Sequence, residues 1–460
     1  MNALVVGGGG REHALAWALA RSGRFGQVFC APGNAGTPHP VAISPMDARA
    51  LANFALEHGV GLVVVGPEQP LAAGLAESLR ERGLAVVGPS RAAARIEASK
   101  AFAKALMERA GIPTAPFRVF TDPDRAEAYV RRADRPLVVK ADGLAGGKGV
   151  RVCDTAEQAV QAVRSLMVRR SLGDAGRIVV VEERLQGTEL SVMVVTDGQE
   201  LAVLPPARDH KRLLDHDRGP NTGGMGAVAP VCLPDGRRGV QALLDATIRP
   251  ALHEMAEQGC PYRGVLYAGL MLTPQGPRVL EFNCRPGDPE TQAQVAVVDP
   301  GRLADCLLAA GGAGPWPSGD PTFFLYQPAD QPDAAEGPAQ AAGAEADGLR
   351  AGSQEGARFA CCVVLATAGY PEHPRTGQVI DGLARAEAQP GVVVFHAATR
   401  RRPDGAVETA GGRVLNVVGT GRTSLRARAN AYRGVSAIAF EGMHFRTDID
   451  WPGPGWGSHD

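Results

Sequence analysis

Residues 137–153 read Leu-Val-Val-Lys-Ala-Asp-Gly-Leu-Ala-Gly-Gly-Lys-Gly-Val-Arg-Val-Cys, setting Lys140 and Lys148 among Gly143, Gly146, Gly147 and Gly149. Glycine lets backbone N–H groups approach an anion closely, and lysine adds a mobile point charge. The stretch reads as a loop that handles phosphate. It is not a Walker A loop: counting back from Lys148, the first glycine position holds Asp142, and Gly149 stands where Ser or Thr is needed. Short, β-branched-rich runs at 137–139 and 150–153 flank it, so it is a glycine-rich tip between two strands. The competing reading is an ordinary hairpin turn. Lysine usage weighs against that. The chain has five lysines (Lys100, Lys104, Lys140, Lys148 and Lys211) against 43 arginines, and two of the five lie here. Lysine is retained where a compact ammonium fits and a guanidinium fork does not.

Other chemistry is spread along the chain. The run Arg278-Val-Leu-Glu281-Phe-Asn283 reads as a strand, and its alternation puts Glu281 and Asn283 on one face with Leu280 and Phe282 in the core. A carboxylate beside an amide oxygen is a hard donor pair suited to Mg²⁺ that also touches phosphates; the competing reading is a polar strand face. Cys284-Arg285-Pro-Gly-Asp-Pro-Glu290 follows. Glu182 and Glu183 close the strand at 178–181, either to hold an adenine amino group and a ribose or to stand in water, and Glu189 comes soon after. Asp209-His-Lys211-Arg precedes Gly219-Pro-Asn221-Thr222-Gly223-Gly224-Met-Gly226, which has no room for a hydrophobic face and reads as a backbone-defined loop.

The elements that must position these residues follow from periodicity. In residues 1–90, strand-like runs at 3–6, 28–30, 62–65 and 85–87 alternate with helical stretches at 12–21, 48–58 and 72–82, which predicts a parallel sheet with binding loops at its strand ends. Those loops carry Gly8, Gly10 and Arg11, then Asn34 and Gly36, then Glu68. The dinucleotide fingerprint fails, because its third glycine position is Glu12 or His13 and no carboxylate ends the second strand; a single phosphate at the helix start is expected instead of NAD. Helices are expected at 101–110, 123–132 and 155–168. Residues 328–357, rich in Ala, Gly, Pro, Asp, Glu and Gln, read as a linker or surface insertion. Residues 358–450 return to β-rich patterning with a helix at 423–432. The expected division is therefore 1–98, 99–325 with a hairpin lobe at about 122–190, and 358–450: a multidomain α/β and α+β chain. At 460 residues several cores are expected. A net charge of −1 points to neither nucleic acid nor membrane, and no apolar run reaches spanning length. Eight scattered cysteines without CxxC spacing and no leader before the first strand suit a reduced cytoplasm.

Together the glycine-rich hairpin, the Glu-Glu strand end and the Glu-x-Asn strand resemble the ATP-grasp superfamily. More narrowly, Gly9-Gly-Arg-Glu-His13, Ala31-Pro-Gly-Asn-Ala-Gly36, Val65-Gly-Pro-Glu68, Lys140-Ala-Asp-Gly143, Asp209-His-Lys-Arg212, Gly219–Gly226, Glu281-Phe-Asn-Cys-Arg285, Gly287-Asp-Pro-Glu-Thr-Gln292 and Gly411-Gly-Arg-Val414 are similar to the phosphoribosylamine–glycine ligase family. The resemblance runs from residue 1 to about 450. It implies a pre-ATP-grasp domain, an ATP-grasp domain with a hairpin lid, and a small β-rich C-terminal domain. It implies ligation of glycine to 5-phosphoribosylamine in purine biosynthesis, with ATP as co-substrate, Mg²⁺ or Mn²⁺, and glycyl phosphate as intermediate. It implies small-molecule partners only; whether the chain is a monomer or a weak dimer is not read from the sequence.

Carried over by position, Lys100 and Lys140 would contact ATP phosphates, and Gly146, Gly147 and Lys148 would fold over them. Glu182, Glu183 and Leu185 would hold adenine, and Glu189 the ribose. Glu281 and Asn283 would bind the metal, and Arg285 would pair with the acyl phosphate or the glycine carboxylate. Asp209, Lys211, Asn221, Thr222, Gly223 and Gly224 would line the meeting point of the substrates. Gly8, Gly10, Arg11, Asn34, Gly36 and Glu68 would receive the phosphoribosyl group. The sequence departs from the family at Pro286, where Phe is usual, at Gly146, where Ala is usual, and in the strand at 267–271, which lacks the further metal carboxylate of many ATP-grasp enzymes. The alternatives are another ATP-grasp ligase or carboxylase, a nucleotide-sensing protein without turnover, and a dehydrogenase; the broken fingerprint disfavours the last.

Overall fold

The computed structural model describes residues 1–133, 135–317, 322–326 and 358–450. The stretch 328–357 expected to be a linker lies outside the described residues. Among the described residues, four larger sheets make up the framework. The first is parallel, in the order Val28–Pro32, Asn2–Gly7, Val60–Val65, Val86–Val87. Its inner strands are apolar on both faces because helices cover both. The helix expected at 72–82 begins earlier and is broken: Glu68–Ala73 and Leu75–Arg80 meet at Gly74, whose φ of +94° ends one helix and starts the other.

The central sheet is Gly276–Asn283, Gly264–Thr273, Thr188–Thr196, Leu201–Val203, Thr322–Phe324. The hairpin lobe is a sheet of its own, Phe117–Phe120, Val179–Glu183, Leu137–Ala141, Val150–Cys153, backed by Pro123–Arg132 and Ala156–Val163. The second of these helices starts where Thr155 and Gln158 form a capping box, and its last turn, Arg164–Val168, is a π-turn. Leu137, Val139, Val160, Val163 and Val181 belong to an apolar cluster separate from the other cores. The lobe is thus packed as a unit.

The last sheet runs Arg208–Asp209, Gly226–Ala229, Phe359–Ala366, Arg413–Gly421, Val392–His396. Two of its strands come from the segment before residue 230, so the C-terminal segment does not complete its sheet alone. Cys361 and Cys362 are neighbours on one strand and lie in different apolar clusters, as opposite strand faces require. Residues 219–226 are less irregular than expected. Arg218–Asn221 pairs with Arg212–Leu214, and Gly226–Ala229 joins the last sheet, leaving only 222–225 between. Ladder pairing uses backbone groups and needs no apolar face. Among the described residues no helix is long and apolar enough to cross a membrane.

Candidate active site

Four of the five lysines meet in one place. Lys140 stands on the first hairpin strand, buried, with Nζ 2.9 Å from Glu182 Oε2 and donating to the Leu280 carbonyl at 3.0 Å. Lys104, on the helix Lys100–Arg109, lies 3.1 Å from the other Glu182 oxygen and donates to Thr114 Oγ1 at 2.6 Å. Burial lowers Lys104 to about 8 against the pull of Glu182. Glu182 is therefore clamped between two ammonium groups in the interior. Glu183 points the other way and pairs with Arg135 at 3.0 Å. The two neighbouring carboxylates do not converge, because a strand alternates. Leu185 follows, half-buried.

Asp142 ties the hairpin base to the start of the lysine helix. Its carboxylate accepts from Ser99 Oγ at 3.0 Å and from the Ala101 N–H at 2.7 Å, and its carbonyl accepts from the Lys100 N–H at 3.1 Å. This sets Lys100 beside the end of the Gly276–Asn283 strand. There Glu281 sits under the influence of Lys211, Lys100, Lys140 and Arg285. Burial alone would push its carboxyl up, but those four cations outweigh burial and hold it below the ordinary glutamate range. Leu280 does not enter the core as alternation predicts. Gly269 pairs with Glu281 and Leu270 with Val279, so Leu280 is the extra residue of a bulge, and Val279 and Phe282 fill the core. The bulge frees the Leu280 carbonyl for Lys140.

Asn283 Oδ1 accepts from Arg285 Nη2 at 3.3 Å. Arg285 also reaches Glu97 at 3.1 Å and Glu68 at 3.4 Å. Glu97 is buried and takes the Cys284 N–H at 2.7 Å; burial, ahead of any other influence, raises its carboxyl even against Arg285. Glu68, expected to face a sugar, thus faces Arg285, which joins the first domain to the end of the strand Gly276–Asn283. Lys211 pairs with Glu189 at 2.7 Å. Asp209 is held well above the ordinary aspartate range, by burial first and the Glu290 carboxylate next, and its Oδ1 is buried without a partner.

The glycine-rich turns come to the same region. Arg11 is buried, pairs with Glu12 at 2.5 Å and donates to the Pro286 carbonyl at 3.1 Å. Glu12 Oε2 accepts the Gly9 N–H at 2.6 Å, so one N–H of the expected phosphate turn is already engaged. The Asn34 side chain is also committed: Nδ2 donates to the carbonyls of Gly8 at 3.0 Å and His396 at 2.8 Å, and Oδ1 accepts from Gly36 and Thr37. It shapes the loop that carries Gly36. A cavity of about 350 Å³ lies between Gly8, Gly9 and Gly10, Lys148 of the hairpin, Asp288, and Tyr370 and Arg413 of the last segment. The hairpin tip is closed over the site: a Cβ on Gly147 would lie 3.7 Å from the Thr222 carbonyl oxygen. Asn221 ends the short strand below it, and Thr222 Oγ1 donates to the Lys211 carbonyl at 2.9 Å and accepts from Gly224 at 3.0 Å.

The expected ATP-side residues Lys100, Lys140, Glu281 and Asn283 are therefore together, and Lys211, Glu189 and Arg285 adjoin them. Lys104, Glu97, Glu12, Asp288 and Arg413 were not singled out as site residues. For Lys104 the scarcity of lysine was an available signal. Nothing local marked Glu97, whose partner Arg285 lies far along the chain; Arg413 stands in the Gly411–Val414 motif, but nothing local gave it a role, and its partners Gly223 and Asp288 are equally distant. Among the described residues no three or more His, Cys, Asp or Glu side chains gather as a metal site. A divalent ion here would rest on Glu281 and Asn283, with its remaining positions left to phosphate oxygens and water; hard oxygen donors of this kind fit Mg²⁺ or Mn²⁺.

A two-stranded lid with a glycine-rich tip, closing over a sheet whose edge strand ends in Glu-x-Asn, defines an ATP-grasp enzyme. The sequence matches the phosphoribosylglycinamide synthetase N domain over residues 1–97, its ATP-grasp (A) domain over 98–291 and its C domain over 360–452. A phosphoribosylamine–glycine ligase of a Nostoc species is 45% identical, the match covering 98% of this chain and 99% of that one. The crystal structure of phosphoribosylamine–glycine ligase from Thermotoga maritima is 34% identical with a TM-score of 0.76, covering 98% of this chain and all of that one. The biotin carboxylase domain of a Hydrogenobacter thermophilus 2-oxoglutarate carboxylase, 14% identical with a TM-score of 0.66 over 96% of this chain and 91% of that one, shares the fold. The chain belongs to the phosphoribosylglycinamide synthetase family.

Proposed function

We propose that this chain joins glycine to 5-phosphoribosylamine with ATP, giving glycinamide ribonucleotide, ADP and phosphate in purine biosynthesis, as a cytoplasmic enzyme. The observation that carries the reading is the position of residues 221–224, within the Gly219–Gly226 stretch that resembles the family, between the hairpin tip and Asp209 beside the Lys100–Lys140–Lys211–Glu281 cluster.

A carboxylate is a poor acyl donor, so glycine must first be activated. Its carboxylate oxygen attacks the γ-phosphorus, the bond to the β–γ bridging oxygen breaks, and ADP leaves. The phosphoribosylamine nitrogen then attacks the carbonyl carbon of glycyl phosphate, phosphate leaves with the C–O electron pair, and the nitrogen loses a proton. Lys100, Lys140 and Lys148 neutralise phosphate charge, and Lys211 and Arg285 receive the glycine carboxylate and the leaving phosphate. A divalent ion at Glu281 and Asn283 would draw charge from the phosphate oxygens. Asp209, made more basic by burial and by Glu290, stands where the amine's proton can be taken up. Glu182, the backbone of Glu183 through Leu185, and Glu189 frame the nucleoside end, the Glu183 side chain being turned to Arg135. Gly8, Gly10, Arg11, Gly36 and Glu68 line the phosphoribosyl end, and Asn34 holds its loop.

The test is ADP release that depends on both glycine and phosphoribosylamine generated in place, with the product identified. ADP formation without glycinamide ribonucleotide would instead favour another ATP-grasp ligase or carboxylase. Lys148→Ala should lower turnover roughly tenfold, about 1.4 kcal/mol of barrier, while AMP binds as before. A lysine on a closing tip acts on phosphate and not on adenosine. Equal losses of AMP and ATP affinity would make the hairpin merely structural.

A further inference from the structure

The stretch Gly411-Gly-Arg-Val414 stands out in the sequence, yet no role above uses it. Arg413 opens the strand Arg413–Gly421, and its side chain leaves the C-terminal lobe. Nη1 donates to the Gly223 carbonyl in a short bond and to the Asp288 carbonyl at 2.9 Å, while Nη2 donates to Asp288 Oδ2 at 2.9 Å. Tyr370, from the same lobe, accepts the Gly223 N–H on its hydroxyl at 2.9 Å. The N–H and the carbonyl of Gly223 are thus both held by the C-terminal lobe.

The two ends of this contact lead to different halves of the site. Gly224 has φ +105°, and a Cβ there would come 2.7 Å from Asp209 Oδ1, so the loop is pressed against the raised carboxyl. Asp288 Oδ1 accepts from Gln292 Nε2 at 2.7 Å. That same amide nitrogen would lie 2.8 Å from a Cβ on Gly10, so the first-domain turn packs directly on it. Four acceptors around one planar guanidinium, the Gly224 carbonyl at 3.5 Å being the fourth, need the arginine fork; an ammonium satisfies them in a different geometry.

We infer that Arg413 and Tyr370 are positioning residues for the joining step, through which the C-terminal lobe fixes residues 221–224 relative to Asp209 and to the first-domain glycine turn. What is positioned rests on the ligase reading; that the loop is positioned does not. The experiment compares Arg413→Ala, Arg413→Lys and Tyr370→Phe with the unaltered full chain. In Arg413→Ala, kcat should fall about 30-fold and KM for phosphoribosylamine rise about tenfold, with KM for ATP within about twofold. Arg413→Lys should recover less than about a third of the lost kcat, since it keeps charge without the fork. Tyr370→Phe should lower kcat about threefold with the melting temperature unchanged. Backbone amide exchange of the peptide spanning 217–228 should quicken about tenfold in Arg413→Ala and less in Tyr370→Phe.

Unchanged loop exchange with unchanged kinetics would overturn the inference. So would parallel losses in the ATP and amine constants together with a lowered melting temperature, the mark of a mere staple. If Arg413→Ala does not fold, Tyr370→Phe decides by the same two readouts. If the unaltered chain forms no glycinamide ribonucleotide, the ligase reading fails while loop exchange still decides the positioning.

Discussion

Replacing Glu281 with alanine should lower turnover by about 10³ or more, roughly 4 kcal/mol of transition-state stabilisation, while ATP binding survives in weakened form. The argument is one of charge. Glu281 is ionised in a buried setting because Lys211, Lys100, Lys140 and Arg285 surround it and outweigh its desolvation. A bound nucleoside triphosphate would bring about four negative charges to the same cations. A carboxylate left beside those phosphates is repelled unless a divalent cation stands between them, and Asn283 supplies the second hard oxygen on the same strand face. Glu281→Gln separates the two effects. It keeps the shape, removes the repulsion and exchanges the anionic ligand for a neutral, weaker amide oxygen. Its ATP affinity, measured calorimetrically, should lose most of its dependence on Mg²⁺, and its turnover should fall as in Glu281→Ala. Near-normal turnover in either variant would remove the metal assignment.

Much of this centre was legible in the sequence because its signals are local. Glycine spacing around Lys148 excludes a Walker loop within a few residues, and the hairpin follows. Lysine scarcity pointed to Lys140 and Lys148 of the hairpin, and the family resemblance to Lys100 and Lys211; the structure gathers Lys100, Lys140 and Lys211 around Glu281. What was not legible depends on contacts between distant residues. Glu182 and Glu183 look alike in sequence, but one is clamped by Lys104 and Lys140 and the other turns to Arg135. Strand alternation forces that split, and only the fold says which face is interior. The bulge at Leu280 depends on register with the strand Gly264–Thr273. Asn34 was expected at a substrate, and its amide is spent on its own loop and on the His396 carbonyl. The first domain's parallel sheet was readable from alternation alone. That the last sheet borrows strands from residues 208–229 was not, since strands of two and four residues leave no periodicity to read.

Acidification should loosen the seam between the first domain and the C-terminal lobe through His13. Its Nδ1 accepts the His396 N–H at 2.8 Å, so the ring must be neutral at that nitrogen. The Phe395 ring meets it edge-on, and His396 in turn bonds Thr399 through Nδ1. Burial first, and His396 second, lower His13 from 6.5 to about 3. Between those values the unfolded chain binds a proton that the folded chain refuses, so the contribution to stability is full at neutral pH and declines as pH falls below about 6.5. At pH 5 the loss from this one group is about 2 kcal/mol. His13→Gln offers an amide oxygen to the same N–H and does not titrate. Glu97 and Asp209, whose raised carboxyls act in the opposite direction on acidification, are present in both chains and cancel in the comparison. Melting temperatures taken at pH 7 and pH 5 should therefore show the unaltered chain losing roughly 2 °C more than His13→Gln over that interval. Parallel pH profiles for the two chains would show that His13 does not carry the seam's acid sensitivity.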